Sequence, residues 1–98
     1  GLFLQPASPY EVLERMLRNL REIYASRSQH ERELAVINRL LVLLPESWSD
    51  YRERAQVLLQ LGQIDGALSD FETYLQAARD ASDAEAVRAQ IAKLQTKS

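Results

Sequence analysis

The feature that most constrains the fold is an internal similarity between two parts of the chain. When the chain is shifted so that Leu17 falls on Tyr51, large apolar residues fall on large apolar residues at several further positions. The other matched pairs are Tyr24 with Leu58, Leu34 with Leu68, Ile37 with Phe71, Leu40 with Tyr74 and Leu41 with Leu75. We call this shift the repeat offset. A fixed period of about 34 residues is typical of proteins built from stacked supersecondary units.

Helix-start signals divide the chain into five segments. Ser-x-x-Glu, a capping-box spacing, occurs at Ser8 and Ser28, a weaker version with Asp at Ser47, and the Glu version again at Ser82. Asp65 is the expected cap of the remaining segment. Within each segment apolar residues recur at helical spacing, as in Val87, Ile91 and Leu94, and no stretch alternates with period two. The sequence therefore predicts an all-α fold of five helices, with neighbouring helices antiparallel.

The second copy of the repeat carries a recognisable pattern of small and large residues. Ala55 and Ala67 are small where paired helices approach most closely, and Gly62 ends the first helix. A helix pair that repeats every ~34 residues has the period and pattern of tetratricopeptide repeats. We expect about two repeats and a C-terminal capping helix. The predicted parts are a leader (1–9), helix pair 1 (10–45), helix pair 2 (46–79) and the capping helix (80–98).

The first copy departs from this pattern. It has Arg21 and Glu33 where the second copy has alanines, and Ser28 where the second has glycine. Two explanations are open: Arg21 and Glu33 form an ion pair across the helix hairpin, or the first pair splays apart and exposes both. Charge complementarity favours the ion pair.

Composition excludes several classes of function. The 98 residues include no Cys and have a formal net charge of -2, with no basic run. We therefore expect no thiolate metal site, no cofactor and no nucleic-acid surface. The longest apolar run, Leu40 to Leu44, is too short for a membrane span, so no membrane partner is expected. The lack of Cys fits a reducing compartment.

The candidate catalytic groups favour packing over chemistry. His30, the only histidine, falls at a turn between helices without a nearby nucleophile or metal-ligand spacing. Paired acids such as Asp70 and Glu72 are typical of solvated helix faces. Trp48, at a helix start, either packs over the preceding loop or is partly exposed to a partner. We expect no enzyme activity, no catalytic residue and no metal site.

The candidate binding surface is the face of the first helix of each pair, which lines a concave groove in arrays of this type. Arginines there would pair with a carboxylate or an acidic segment of a protein or peptide. The groove candidates are Arg15, Arg18, Asn19, Glu22, Arg52, Gln56, Leu59 and Gln60.

Residues 4–24, LQPASPYEVLERMLRNLREIY, resemble the entry into the C-terminal repeat region of the bacterial SirB-type family. The resemblance continues at residues 41–45, 51–75 and 82–94. It implies a bacterial cytoplasmic protein with a transglutaminase-like domain upstream, of which this chain would be a fragment. The chain would then be a protein-protein interaction module or, alternatively, a structural or regulatory part of that enzyme domain. Leu2, Phe3 and Leu4 would fold back on the first helix or contact the upstream domain, and an exposed front face would favour a homodimer of the fragment.

Overall fold

The chain forms a row of antiparallel helices in which each helix packs against the next. The computed structural model describes residues 8–96, and the predicted contacts of Leu2, Phe3 and Leu4 lie outside them. This part of the chain is all-α, with five helices and no strand. The helices are α1 (Pro9–Ser26), α2 (His30–Leu43), α3 (Trp48–Gln60), α4 (Ile64–Ala77) and α5 (Ala84–Gln95).

The helix starts agree with the predicted caps at one position only. Ser8 caps α1, with its hydroxyl oxygen accepting from the amide of Glu11 at 3.1 Å. Ser47 precedes α3, but its hydroxyl donates to the Asp50 carboxylate at 2.6 Å instead of accepting from the backbone. The predicted cap at Ser47 was therefore wrong, because the hydroxyl forms a stronger hydrogen bond to a charged carboxylate than to a backbone amide.

The other three predicted caps were wrong. The N-cap residues that precede α2, α4 and α5 are Gln29, Gln63 and Asp83, and none makes a side-chain cap hydrogen bond. Asp65 lies instead in the first turn of α4, where its charge interacts favourably with the helix dipole.

Ser28 and Gly62 end α1 and α3 in the same way. Both have left-handed backbone conformations, with φ of 55° and 77°. In each case the following amide donates five residues back, from Gln29 to the Tyr24 carbonyl and from Gln63 to the Leu58 carbonyl. This is the Schellman pattern, which satisfies carbonyls at a helix end. Ser28 is therefore the stop signal of α1 and the structural counterpart of Gly62.

The second helix pair has the better-packed core. Ala55 and Ala67 are fully buried between α3 and α4, which confirms the prediction that small residues mark their close approach. Phe71 and Tyr74 fill the same cluster from α4, and Val87 enters it from α5. The last helix therefore covers the C-terminal end of this core.

Two smaller clusters complete the interior. Leu17, Val36 and Leu40 join α1 to α2. Ile37 and Leu41 of α2 pack against Val57 of α3, which links the first helix pair to the second.

The predicted ion pair between Arg21 and Glu33 was wrong, and so was the alternative that both are exposed. Arg21 Nη1 lies 3.8 Å from Glu53 Oε2 of α3, and Glu33 Oε1 lies 3.2 Å from His30 Nδ1. Glu33 is only 8% exposed. Each side chain reaches a different partner, because His30 precedes Glu33 by one turn and the packing of α3 brings Glu53 to Arg21.

Candidate functional site

The first helices of the pairs are joined to each other by long side chains, since close backbone packing is confined to consecutive helices. Arg18 of α1 donates from both Nη atoms to the carboxylate of Asp50 in α3, at 3.1 and 3.0 Å. Its Nε donates to Glu14 one turn earlier at 2.8 Å. Asp50 is 1% exposed, so this fork-shaped pair neutralises a carboxylate that water does not reach.

The same connection recurs between α3 and α5. Arg52, at the repeat position of Arg18, donates to Asp83 Oδ2 at 2.7 Å and to Glu53 at 2.9 Å. The other oxygen of Asp83 accepts from the hydroxyl of Tyr74 at 2.5 Å. Arg52 also lies over the Tyr74 ring, with 5.4 Å between the guanidinium carbon and the ring centroid. Each of these arginines thus bridges to an aspartate at the start of the next helix in the row that α1, α3 and α5 form.

These bridges set the protonation behaviour of the paired arginines and aspartates. Burial alone would raise the pKa of Asp50, but hydrogen bonds from Arg18 and Ser47 bring that pKa below its usual value. The hydrogen bond from Tyr74, followed by that from Arg52, lowers the pKa of Asp83. The bond to Asp50 raises the pKa of Arg18. These ion pairs therefore remain charged throughout the neutral range.

A row of polar side chains crosses α1, α3 and α5 at the repeat spacing. Glu22 falls on Gln56, and Gln56 falls on Gln90, when the chain is shifted by the repeat offset. Gln56 Nε2 donates to Gln90 Oε1 at 3.1 Å, and Gln90 Nε2 donates back at 3.4 Å. Glu22 and Gln56 are exposed and Gln90 is half-buried. We call Glu22, Gln56 and Gln90 the polar row.

The eight predicted groove residues fall into three groups in the structure. Arg18 and Arg52 are occupied by internal carboxylates, so they are not the free cations that the sequence suggested. Leu59 is half-buried against the second-pair core. The exposed members are Arg15, Asn19, Glu22, Gln56 and Gln60.

Arg54 forms a further buried bridge, which the sequence did not predict. Arg54 donates to both carboxylate oxygens of Asp70 at 2.7 and 2.8 Å, and to Asn38 of α2 at 3.1 Å. Asp70 is 5% exposed, so its carboxylate belongs to the interior and not to the solvated face that its spacing to Glu72 suggested. The hydrogen bond from Arg54 to Asp70 raises the pKa of Arg54. The repeat did offer a signal, because Arg54 directly precedes the small Ala55 at the helix contact.

His30 and Trp48, which the sequence analysis considered individually, have packing roles in the structure. His30 is partly buried beside Glu33, as expected. Trp48 is 38% exposed and stacks on Tyr51 with ring centroids 5.6 Å apart, while Tyr51 donates to the Pro45 carbonyl. Within residues 8–96, no three His, Asp or Glu side chains are grouped to hold a metal ion. In the same part of the chain, no helix combines the length and apolarity that crossing a membrane requires.

Comparison with known proteins identifies the repeat. The family described as "Tetratricopeptide repeat" matches residues 20–92, most of the chain. The chain belongs to the tetratricopeptide repeat family. No solved structure matches it.

The chain is also similar to two relatives named "UPF0162 protein", from Xylella fastidiosa strains Temecula1 and 9a5c. The identities are 35% and 34% over 91 residues, which is 93% of this chain in each case. The chain spans 32% of the length of these curated relatives.

Tetratricopeptide repeats generally mediate protein-protein interactions and act as non-catalytic scaffolds. The matched range includes Ala55, Ala67 and Gly62, the residues on which the prediction of this repeat rested. Because such repeats generally mediate protein-protein interaction, we take the exposed side chains of α1, α3 and α5 as the candidate site.

Proposed function

We propose that this chain is a protein-interaction module that binds an extended peptide segment across α1, α3 and α5. The observation that carries the proposal is the polar row, whose members occupy equivalent positions on these three helices. A side-chain amide both donates and accepts, so Gln56 and Gln90 suit the main-chain N–H and C=O groups of an extended peptide. The row would thus bind peptide main chain, with side-chain selection from its neighbours.

The bridges beneath the row support this proposal. Arg18 with Asp50 and Arg52 with Asp83 connect the three helices on which the row stands. A surface whose side chains are already held in place loses less conformational entropy on binding. The proposed site is therefore organised before its ligand arrives.

The charges left on the face indicate the kind of peptide. Arg15 is exposed and has no ion-pair partner among residues 8–96, whereas Arg18 and Arg52 are paired. Glu22 adds a negative charge to the same helix. We expect a ligand of mixed polar character, with binding that depends only weakly on salt. Two repeats offer little surface, so we expect weak affinity for an isolated peptide.

The test is selection of peptides from a displayed random library on the immobilised chain, followed by titration of the 15N-labelled chain. We expect shifts centred on Asn19, Glu22 and Gln56. Glu22→Lys and Gln56→Lys should each weaken binding about tenfold or more. Glu72→Lys, which makes the same charge change as Glu22→Lys at an exposed position of α4, is the control. Failure to select any peptide, or equal loss in the control, would contradict the proposal.

A second candidate is favoured by the length of the relatives, since most of each relative lies outside the matched part. In this case the chain is a structural or regulatory part of an upstream transglutaminase-like domain in a bacterial cytoplasmic protein. The two candidates differ in one observable. If the upstream domain folds and is active when expressed alone, the interaction module is supported. If the upstream domain requires this chain, the structural or regulatory role is supported.

A further inference from the structure

The N-terminal end of the array carries an uncovered apolar surface. We call it the front face: Tyr10, Leu13, Met16, Leu20 and Ile23 on α1, with Val42 on α2. Met16 is 56% exposed and Val42 is 85% exposed. A cleft of about 590 Å³ opens beside it between α1 and α2. Contiguous exposure of this many large apolar residues marks an interaction surface.

Comparison with the second helix pair shows which contacts the equivalent surface makes there. At the repeat offset, Met16 corresponds to Asp50, Leu20 to Arg54 and Ile23 to Val57. In the second pair these three positions contact the first pair.

Each contact in the second pair has a named partner. Asp50 accepts from Arg18. Arg54 donates to Asn38. Val57 packs against Ile37 and Leu41 of α2. The front face is therefore the equivalent of an interface that the same chain already forms once.

The two ends of the array differ in this respect. At the C-terminal end, α5 buries Val87 and half-buries Ile91 and Leu94, and it exposes no large apolar residue among those described. A capping helix thus ends the array there, whereas α1 has no such cover among the described residues. Among the described residues, the uncovered apolar surface of the array is therefore the one on α1.

The sequence before α1 repeats the end of α2. Residues 2–8 read LFLQPAS, and residues 41–47, which end α2 and lead into α3, read LVLLPES. Leu, Leu, Pro and Ser match at the first, third, fifth and seventh positions. The two segments lie further apart than the repeat offset because α1 has 18 residues and α3 has 13. The segment that precedes α3 thus has a counterpart preceding α1.

We propose that the front face is the docking surface for an amphipathic helix of the same polypeptide, ending at Leu2–Leu4 and placed on α1 as α2 is placed on α3. The helix presents apolar side chains to Met16 and Leu20, because these replace Asp50 and Arg54 and offer no charge to pair. The chain spans only 32% of the length of its relatives, so a parent protein of similar length has ample polypeptide for such a helix.

Oxidation of Met16 by limited hydrogen peroxide, followed by mass spectrometry of its peptide, tests the proposal. The 98-residue chain is compared with the same chain extended by the polypeptide that precedes it in its gene. We expect Met16 to oxidise about tenfold more slowly in the extended chain, at every protein concentration, since oxidation then requires local opening. An equal rate in both chains would overturn the proposal.

Variants separate docking from general stabilisation. Leu20→Gln in the extended chain should restore oxidation of Met16. Arg15→Gln, about 140° around the helix from Leu20, should leave it protected. If protection appears in the 98-residue chain and grows with its concentration, a second copy covers the front face and the proposal is wrong. If the extended chain is protected but Leu20→Gln has no effect while still folded, docking on this face is likewise wrong.

Discussion

At the scale of single residues, the ends of α1 and α3 depend on Ser28 and Gly62. Both adopt the left-handed conformation, which costs a residue with a side chain roughly 1–2 kcal/mol and costs glycine almost nothing. The sequence identified Gly62 as a helix stop but suggested a cap at Ser28, because Ser-x-x-Glu is a helix-start pattern. The repeat offset, which places Ser28 on Gly62, was the better guide.

Ser28→Gly should therefore stabilise the chain by about 0.5–1 kcal/mol, because relief of the left-handed strain exceeds the entropy that glycine adds to the unfolded state. Gly62→Ala should destabilise by about 1 kcal/mol through conformation alone, since an added Cβ meets no atom within 4 Å. Urea denaturation of the two variants measures both. A loss of stability in Ser28→Gly would show that its side chain has a role that the structure does not reveal.

Arg18 neutralises the buried carboxylate of Asp50, whereas Arg15, one turn earlier on α1, is exposed. Arg18→Met should lower the free energy of unfolding by about 2–3 kcal/mol, because Asp50 stays buried without its main cation. Arg15→Met should change it by less than about 0.5 kcal/mol, since Arg15 is exposed. Thermal denaturation at neutral pH compares them, and equal effects would argue against the bridge.

The lowered pKa of Asp50 predicts a particular response to acid. The native carboxylate holds its proton less tightly than an ordinary aspartate of pKa 3.8, so its contribution to stability is complete above that value. The contribution is lost as pH falls from 3.8 through the lower native pKa. Asp50→Asn should be less stable than the wild type near neutral pH, and the difference should shrink once the pH falls below 3.8. A difference that stays constant with pH would contradict this role.

At the scale of helices, the small residues were predictable and the polar contacts were not. Ala55 and Ala67 mark the α3–α4 contact because only small side chains fit where helix axes approach. Arg21 and Glu33 could not be assigned in the same way, since a long side chain reaches several turns. Arg21 reached Glu53 in the next pair, which only the packing of whole helices brings near.

The seam between the pairs offers a matched test on α2. Ile37 is fully buried against Val57, whereas Val42 is 85% exposed. Ile37→Ala should lower the free energy of unfolding by about 3–4 kcal/mol through lost contacts and a cavity, and Val42→Ala by less than about 0.5 kcal/mol. Chemical denaturation of both variants provides the comparison. A small effect of Ile37→Ala would mean that the two pairs are not joined at this seam.

At the scale of the whole molecule, the helical repeat and its period could be predicted because they depend on local spacing. Residues such as Phe71 and Ile37 lie where the period places them, in the interior. The partners of Arg18 and Arg52 were harder to predict, because they are aspartates that are distant in the sequence. The nearly equal spacing from Arg18 to Arg52 and from Asp50 to Asp83 was the one available clue.

The described part of the chain thus has two surfaces of different character, the polar row across α1, α3 and α5 and the apolar front face at one end. We propose that the first binds an extended peptide and the second a packed helix. Both properties follow from one architecture, in which internal bridges occupy Arg18 and Arg52 and no described residue covers the front face of α1.

The most direct experiment is titration of the 15N-labelled 98-residue chain with the upstream polypeptide that our proposal requires, expressed separately. For an interaction module we expect saturable shifts, clustered on the front face around Met16 and Leu20, with the polar row remaining available to peptides. The absence of shifts at high concentration, together with the absence of any peptide bound at the polar row, would contradict it.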